Sequence, residues 1–554
     1  MSDNLLTSRF NAGENSELEC FPYSVHHADE GVCLLIKMGP HRILLDCGID
    51  DISILKKGKR SLPADLVLCS HAHPDHAKGL LALHQAFPTL PIYASEATTQ
   101  LLPLNWLETP NIPQFCQALP WRSPLEFQEG LSAELFPAGH LPGAAVILLR
   151  YTTPSREYSV LYTGDFFLSN SRLVEGLPLE ELRGLKPDVL IIEGSYGTAR
   201  HMHRRNQENQ LAEKIHQAIA NGYSVIMPTP TLGIGQEILM MLRSHHSFTG
   251  RNVDIWVDGS VATGCDTYLE MLPHLPAAVQ NFARHQPLFW DEKVRPRMRR
   301  LSSDQRGIVG QSPCIIITDE TADLKEYCQS QTGPWLILLP EKPGRPVNPD
   351  SLSFAHQGNL TLPSPTTTVD TYLLAQHSDG PGITQLIHNL RPQHVIFVHG
   401  SPTYLTDLTS LDELQNRYHL HSPPSGTLVE LPIGETFLQP AAPETNYEGE
   451  LNELGTVVTI TLPEAIVVDS RWRAFADTGL VEARWQGEEL VIRGLSQREL
   501  LNQSGDRPIA QEINCCATCR FQRSQRCWNQ ASPLFGFKVT PEGYCPAYER
   551  NQQE

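Results

Sequence analysis

The sequence lacks any run of about 18 apolar residues, the length that a helix needs to cross the hydrocarbon core of a bilayer. Between Met1 and Cys20 it also lacks the basic segment followed by an apolar stretch that marks a secretory signal. These absences argue against a membrane partner and favour the cytoplasm. At 554 residues the chain is longer than one hydrophobic core usually supports, so we expect two to four structural units.

Positive charge is also scarce. The 43 lysines and arginines are outnumbered by 62 aspartates and glutamates, which gives a formal net charge of −19. Proteins that bind nucleic acid over an extended surface often carry a basic patch, so this balance counts against such a footprint. It does not exclude an enzyme whose positive charge is concentrated in bound metal ions.

Strand-like and helix-like segments alternate along most of the chain. Gly31–Met38 and Arg42–Asp46 predict a hairpin, and a strand at Asp65–Cys69 runs into a polar loop before a helix-like stretch at Gly79–Phe87. A second helix is predicted by periodicity over Asn209–Ala220. This alternation predicts a layered α/β fold.

The polar loop after Cys69 is the most informative stretch, because it places four metal-ligand side chains within six residues: His71, His73, Asp75 and His76. Imidazole nitrogens and carboxylate oxygens are ligands that Zn²⁺ and its neighbours take. Because the loop leaves a strand, the first two side chains can point one way while the last two face a second position. One segment can therefore serve two ions about 3.5–4 Å apart.

Two ions need more ligands than this loop supplies, so isolated ligands are expected at other strand ends. His140 lies in a Gly/Pro-containing loop before a strand, and Asp165 follows the strand Tyr158–Thr163. Taken alone, each is more often a cap or a hydrogen-bonded polar group. Their spacing after the histidine-rich loop favours a role as ligands.

This set resembles the first four motifs of the metallo-β-lactamase superfamily. The resemblance implies a four-layer αβ/βα sandwich with two Zn²⁺ or other divalent ions at one edge. One ion would be bound by His71, His73 and His140, and the other by Asp75 and His76. Asp165 would bridge them, and Asp46 would support the loop without being a ligand.

The later motifs resemble one branch of that superfamily. Simple members supply the last histidine within some tens of residues of the bridging aspartate, but here His377 and His399 follow more than 200 residues later. A large insert at this point marks the β-CASP group, which contains RNase J and the cleavage subunit of messenger-RNA 3′-end processing. Glu193 with its neighbours is similar to the group's motif A, Ala375–Asp379 to motif B and Val398–Gly400 to motif C.

Two segments depart from the group's pattern. Ile234 stands where members commonly have an arginine, and residues 317–323 replace a stretch that contains Gly-Met. The insert normally helps to clamp nucleic acid, so these departures concern substrate binding and leave the metal ligands intact. No substrate-binding residue is assigned from the sequence.

The resemblance covers roughly residues 25–435 and implies a division of the chain. We expect the metallo-β-lactamase domain in two parts, 1–205 and 371–440, with an inserted β-CASP-like α/β domain at 206–370. A linker rich in proline and alanine at 440–447 would lead to a small, β-rich C-terminal module at 448–554.

Five of the 13 cysteines lie close together in that module, between residues 515 and 545. The earlier ones, from Cys20 to Cys328, are scattered and read as small buried hydrophobic residues in a reducing compartment. The later four are Cys516, Cys519, Cys527 and Cys545, with Cys515 as an adjacent spare. Four thiolates suit structural Zn²⁺ or a [4Fe–4S] cluster, and the stretch is similar to small high-potential iron–sulfur proteins. Disulfides or free thiols are the alternative.

The function that these expectations imply is phosphodiester hydrolysis by a hydroxide that two metal ions activate, with RNA as the substrate and single-stranded DNA as an alternative. The catalytic residues would be Asp75, His377 as the proton donor to the leaving oxygen and Glu193 as the group that orients it, while His399 would bind the second ion. Two other functions stay open: hydrolysis of a small ester or thioester, and a non-catalytic RNA-processing subunit. A homodimer is compatible with the sequence.

Overall fold

The computed structural model describes residues 17–26, 30–56, 62–328, 333–341 and 367–434, together with two strands and several short stretches between 481 and 549. The chain divides into two compact units, Met1–Pro440 and Ala441–Glu554. Within these described ranges, no helix combines the length and the hydropathy that a membrane crossing requires.

The first sheet of the larger unit begins with a hairpin and continues as a parallel sheet. Its first six strands are β1 (Leu18–Val25), β2 (Val32–Met38), β3 (His41–Leu45), β4 (Leu66–Leu68), β5 (Ile92–Ser95) and β6 (Cys116–Leu119). The predicted hairpin is confirmed, since β2 and β3 pair antiparallel with Leu34 opposite Leu45. From β3 to β6 all pairs are parallel.

The second sheet follows in sequence and has the same mixed character. Its first five strands are β7 (Leu125–Gln128), β8 (Leu131–Pro137), β9 (Ala145–Thr152), β10 (Glu157–Tyr162) and β11 (Val189–Glu193). Strands β7 to β10 pair antiparallel, and β11 pairs parallel with β10.

A third, wholly parallel sheet interrupts the second one. Its strands are β12 (Ser224–Thr229), β13 (Asp254–Val257), β14 (Arg297–Arg300), β15 (Cys314–Asp319), β16 (Trp335–Pro340) and β17 (Thr367–Tyr372). The chain then returns to the first two sheets with β18 (His394–Val398), β19 (His419–His421) and β20 (Val429–Glu430). Because β18 pairs with β11, the third sheet is an insertion between two neighbouring strands.

Helices connect most of the parallel strands, as parallel pairing requires. They are α1 (Pro74–Ala77), α2 (Leu80–Ala86), α3 (Glu96–Leu101), α4 (Leu179–Leu182), α5 (Arg204–Ala220), α6 (Ile234–Ser244), α7 (Gly259–Glu270), α8 (Ala277–His285), α9 (Gly380–Leu390), α10 (Pro402–Thr409) and α11 (Asp412–Gln415). Of these, α5 to α8 belong to the inserted segment.

Alternating side chains place each of the first two sheets between two cores. In β2, Leu34 and Ile36 face the core between the sheets, where they meet side chains of the second sheet such as Ile147 and Val160. The intervening Leu35 faces the core on the helix side. Because apolar side chains leave both faces, each sheet must be covered twice, which gives the α/β sandwich expected from the sequence.

A buried carboxylate ties the insert to the rest of the larger unit. Glu237 of α6, which is 4% exposed, accepts hydrogen bonds from the backbone N–H groups of Arg172 and Leu173 at 2.8 and 2.9 Å. It also accepts from Ser171 Oγ at 2.7 Å and pairs with Arg204 at 3.3 Å. These bonds fix the N-terminal end of α6, and with it the loop that precedes Ile234, beside the second sheet.

The smaller unit contains two described antiparallel pairs. Strands β21 (Val481–Gln486) and β22 (Glu489–Gly494) form one, and β23 (Gln522–Arg523) and β24 (Arg526–Cys527) form the other. The predicted linker at 440–447, the strand-like stretch Val457–Val468, and residues Cys515 and Cys545 lie outside the described residues.

Candidate metal centre

The predicted ligands converge because they follow strands that end at the same edges. Asp165, Glu193 and His399 come at or just after the carboxyl ends of β10, β11 and β18, which are adjacent and parallel in the second sheet. His71 follows β4 of the facing sheet. Ligand sites in α/β folds lie at the carboxyl ends of strands, and this edge has that position.

The ligand atoms form three overlapping groups, in each of which all atoms lie within 4.8 Å of one another. The groups are His71–His73–His140–Asp165, Asp75–His76–Asp165–His399 and Asp165–Glu193–His377–His399. Asp165 belongs to all three. The structure therefore brings every predicted ligand of the two ions to one place, with Glu193 and His377 beside them.

Three buried atoms of the predicted ligands have no hydrogen-bond partner in the part of the chain that the structure describes: His71 Nε2, His76 Nε2 and Asp165 Oδ1. The parent side chains are at most 2% exposed. An unpaired buried polar atom costs free energy, so three on side chains of these overlapping groups indicate a bound partner. Imidazole nitrogen and carboxylate oxygen are the donors that zinc-like divalent ions take, so the residues fit such ions.

The opposite nitrogens of these histidines are held by the protein. His76 Nδ1 lies 2.7 Å from Asp46 Oδ2, and His71 Nδ1 lies 3.1 Å from Ser70 Oγ. His140 donates from Nδ1 to the carbonyl of Gln376 at 2.8 Å, and His73 donates from Nε2 to the carbonyl of Leu232 at 3.3 Å. Such contacts orient each ring and select the nitrogen that faces the ions.

Asp46 lies beneath the loop and belongs to none of the three groups. It is fully buried and accepts hydrogen bonds from Ser70 N at 2.6 Å, Ser70 Oγ at 2.7 Å and Tyr162 Oη at 2.6 Å, besides its contact with His76. Its backbone has a φ of 56°, which is uncommon outside glycine. The carboxylate thus joins the two sheets and fixes the start of the loop.

Glycine makes the close packing of the loop feasible at one neighbouring position. A Cβ atom on Gly48 would lie 1.7 Å from the carbonyl oxygen of Asp75. Any other residue at this position would displace Asp75 and the helix turn that carries His76.

Burial and neighbouring charges set the protonation of the centre. Burial, reinforced by neighbouring histidines, lowers the pKa of His71 and His140 well below the usual value, so both are neutral as metal ligands must be. Burial alone would raise the pKa of the Asp165 carboxyl, but the surrounding histidines outweigh it and hold that pKa well below its usual range. The carboxylate that the three groups share therefore carries a negative charge.

His377 and Glu193 form a hydrogen-bonded pair next to this charge. His377 Nδ1 lies 2.8 Å from Glu193 Oε2, while Glu193 Oε1 accepts from the backbone N–H of Phe166 at 2.6 Å. Burial lowers the pKa of His377, but the carboxylates of Glu193 and Asp165 outweigh it and raise that pKa to about 9. The pair can therefore present a protonated imidazole at neutral pH.

Two residues of the centre were missed by sequence reasoning. Ser195 donates to Glu193 and lies 2.7 Å from His399 Nδ1, which links motif A to motif C. His26 stacks on His399, with ring centroids 4.4 Å apart. Both follow strands, β11 and β1. His26 is followed directly by His27, and Ser195 lies two residues after Glu193, so the available signal was a ligand-type residue close by in the sequence.

A cleft of about 490 Å³ opens above the centre between the first two sheets and the insert. His73, Asp75, His140, Asp165, His377 and His399 line it from below. Ile234, Glu320 and Glu341 line it from the insert. The two departures from the β-CASP pattern therefore face this cleft with an apolar residue and a carboxylate.

Comparison with known proteins gives the family. A family model described as a beta-lactamase superfamily domain matches residues 41–227, and one described as a Zn-dependent metallo-hydrolase RNA specificity domain matches residues 367–419. The chain is 50% identical over 546 residues to an uncharacterized protein of Synechocystis, covering 96% of this chain and 97% of that protein.

More distant relatives have names that state an activity. The chain is 27% identical over 305 residues to an RNase J-like protein of Methanocaldococcus jannaschii, covering 52% of this chain and 67% of that one. It is 25% identical over 429 residues to the endoribonuclease ysh1 of Schizosaccharomyces pombe, covering 70% of this chain and 54% of that one. With the ligand groups and the insert between β11 and β18, these matches place the chain in the metallo-β-lactamase superfamily and, within it, in the β-CASP group.

Proposed function

We propose that this protein is a metal-dependent phosphodiester hydrolase, a ribonuclease that acts in RNA processing or decay. One observation carries the proposal: two ligand groups share Asp165, and His377, hydrogen-bonded to the buried Glu193, lies beside them at the floor of a cleft. The relatives named as RNase J-like and endoribonuclease support RNA as the substrate class.

The residues would hold two divalent ions, for which we propose zinc. The first would take His71, His73 and His140, the second would take Asp75, His76 and His399, and Asp165 would be shared. When bound, such a pair of ions lowers the pKa of a water molecule toward neutrality and offsets the negative charge of a phosphate.

The chain's own groups then supply proton transfer and orientation. Because Glu193 occupies Nδ1 of His377, Nε2 is the nitrogen left to give a proton to the leaving oxygen of the substrate. Glu193 itself is held by Phe166 N and Ser195 Oγ, so the imidazole has a fixed direction. Asp75 completes the proposed catalytic set as a ligand whose carboxylate contacts His399 at 3.1 Å.

The insert would be the β-CASP-like domain, with boundaries near 206 and 370, and would form the second wall of the substrate cleft. Ile234 and Glu320 give that wall no positive charge at the two positions that depart from the family pattern. We therefore propose that the RNA phosphates are attracted chiefly by the bound ions. Attraction by bound ions is compatible with the chain's net charge of −19, because the positive charge is then concentrated at the centre.

The two alternatives are less well supported. A small ester or thioester would not require an insert or the residues of motifs A, B and C. A non-catalytic subunit would be expected to have lost ligands, whereas all of the predicted ones are present in the three groups.

Removal of the metal ions tests the function. We expect the purified protein to contain two divalent ions per chain at this centre and to cleave labelled RNA. Chelation is expected to lower the rate about 100-fold, with recovery when Zn²⁺ or Mn²⁺ is returned. Single-stranded DNA and a chromogenic ester, assayed in parallel, distinguish the substrate classes. Ester hydrolysis without RNA cleavage would contradict the proposal.

We also propose that the cysteines of the smaller unit hold a metal centre. Cys516 and Cys527 are buried and Cys519 is partly exposed. Cys519 N donates to Cys516 O at 3.2 Å, so these two cysteines share a tight turn, and Cys527 ends the short hairpin that follows it. The fourth cysteine of the predicted set, Cys545, lies outside the described residues.

Metal analysis of anaerobically purified protein tests this centre. Iron, sulfide and absorbance near 400 nm are typical of a [4Fe–4S] cluster, whereas one additional zinc per chain indicates a structural ion. Cys519→Ser is expected to abolish either signal, and Cys515→Ser, the adjacent spare, is expected to preserve it. Protein with neither iron nor additional zinc would refute a metal centre and leave disulfides or free thiols.

The proposal includes the cytoplasm as the compartment and RNA as the partner. A homodimer is part of the hypothesis as well, and it rests on the sequence alone. Sedimentation of the metal-loaded protein would test it.

A further inference from the structure

The loop after β1 brings a histidine to the metal centre that belongs to none of the family motifs. The ring of His26 lies parallel to that of His399, with centroids 4.4 Å apart and an interplanar angle of 9°. His26 also lines the cleft. Its own nitrogens belong to none of the three ligand groups, so His26 contacts the centre through a ligand and not as one.

The backbone joins the same two residues. His399 N donates to the carbonyl of Val25 at 2.8 Å, which places the residue before His26 directly beside the turn that follows β18. His26 and His399 have φ values of 59° and 53°, a region that side chains other than glycine seldom adopt. Strained backbone of this kind persists where the surrounding structure requires it, and it is concentrated at functional sites.

His26 also approaches the other end of the second ligand group. Its Nδ1 lies 3.8 Å from Asp75 Oδ2, which is itself 3.1 Å from His399 Nε2. This Nδ1 is buried and has no hydrogen-bond partner among the groups that the structure describes. The imidazole thus lies against Asp75 and His399, two ligands that the first group lacks.

We propose that His26 is a positioning residue for the second metal ion, because its stacked ring fixes the plane of His399. The inference rests on the two-ion centre of the proposed function. It adds the loop after β1 to the segments of the chain that form this centre. Contacts that orient a ligand commonly change metal affinity or activity by about 10–100-fold when they are lost. The effect should fall on the second ion and spare the first, whose ligands His26 does not contact.

Three substitutions in the full-length protein separate the ring from the backbone strain. His26→Ala removes the stack, and His26→Gly removes the stack while relieving the left-handed backbone, so it should fold at least as well as the natural chain. His26→Phe keeps an aromatic ring over His399 without its nitrogens. His84→Ala is the matched control, because His84 of α2 also stacks on an aromatic ring, that of Phe115, and belongs to none of the ligand groups.

The measurement is titration of the metal-free protein with Co²⁺, followed by calorimetry and by visible absorption, so no RNA is needed. We expect His26→Ala and His26→Gly to weaken binding of the second ion by about 10–100-fold and that of the first by less than about threefold. His26→Phe and His84→Ala should stay within about threefold of the natural protein for both ions.

Two results would overturn the inference: equal weakening of both ions in the alanine and glycine variants, or a phenylalanine variant that binds as poorly as the glycine one. Failure of the proposed function gives a different pattern. In that case the metal titrations follow the expectation for His26, while neither the natural chain nor any of its variants cleaves RNA.

Discussion

Asp165→Asn is expected to lower RNA cleavage on the order of 10³-fold or more and to reduce the bound divalent ions from two per chain to at most one. Asp165 is the one residue common to all three ligand groups, and its oxygens lie 3.3–3.8 Å from nitrogens of five histidines. The amide keeps the shape of the side chain but removes its charge. It also places an NH₂ group where a ligand oxygen is needed.

Asp65→Asn is the control for this change. Asp65 precedes β4, at the opposite end of the strand that leads to His71, and it pairs with Arg42 at 3.0 Å. A partly exposed ion pair contributes little to stability, so this variant should retain its metal content and its activity within about twofold. The two variants are compared by metal analysis after exhaustive dialysis and by single-turnover cleavage of labelled RNA. Normal activity of Asp165→Asn with two ions bound would remove the bridging role.

The convergence of the candidate ligands could be predicted from the sequence because they lie close to strand ends in dense or well-spaced motifs. The loop from His71 to His76 is recognisable because it holds three histidines and an aspartate within six residues. The apolar runs of β2, β3 and β4 predict the strands around it. Pairing confirms the hairpin, and burial on both faces confirms the layered α/β fold. Local patterns located these candidates because each of them lies in a loop or helix turn soon after the end of an apolar strand.

What the sequence could not reveal depends on contacts between distant segments. The carbonyls of Leu232 and Gln376 orient His73 and His140, but every residue has a carbonyl, so no residue type marks this role. His26 is the first of two adjacent histidines after β1, and only the fold places its ring against that of His399. The prediction of helix boundaries from the sequence fails for a related reason.

The helix predicted to begin at Asn209 begins at Arg204 instead. The preceding turn contains Arg204, Gln207 and Glu208, which are polar and yet at most 7% exposed. Their polar groups pair with the rest of the fold, for example Arg204 with the Ala375 carbonyl and Gln207 with the Ala375 N–H. Apolar periodicity cannot detect a helix turn that is buried through polar contacts.

His377→Ala is expected to lower RNA cleavage by about 10²–10⁴-fold, the range typical of a lost general acid, while both ions remain bound. Its Nδ1 is bonded to Glu193 and its side chain is 19% exposed at the cleft, so it can reach a substrate. The loss should shrink to about tenfold or less on a p-nitrophenyl phosphodiester, because that leaving group departs without a proton.

The comparison of the two substrates separates proton donation from simple damage to the site. His388→Ala serves as the control, since His388 lies in α9 and bonds to Tyr418 Oη at 3.0 Å, outside the ligand groups. Equal losses on RNA and on the p-nitrophenyl ester would mean that His377 positions the ions or the phosphate. Full RNA activity with full metal content would show that the proton comes from elsewhere, and Glu193 would then lose its orienting role as well, because its Oε2 holds the His377 ring.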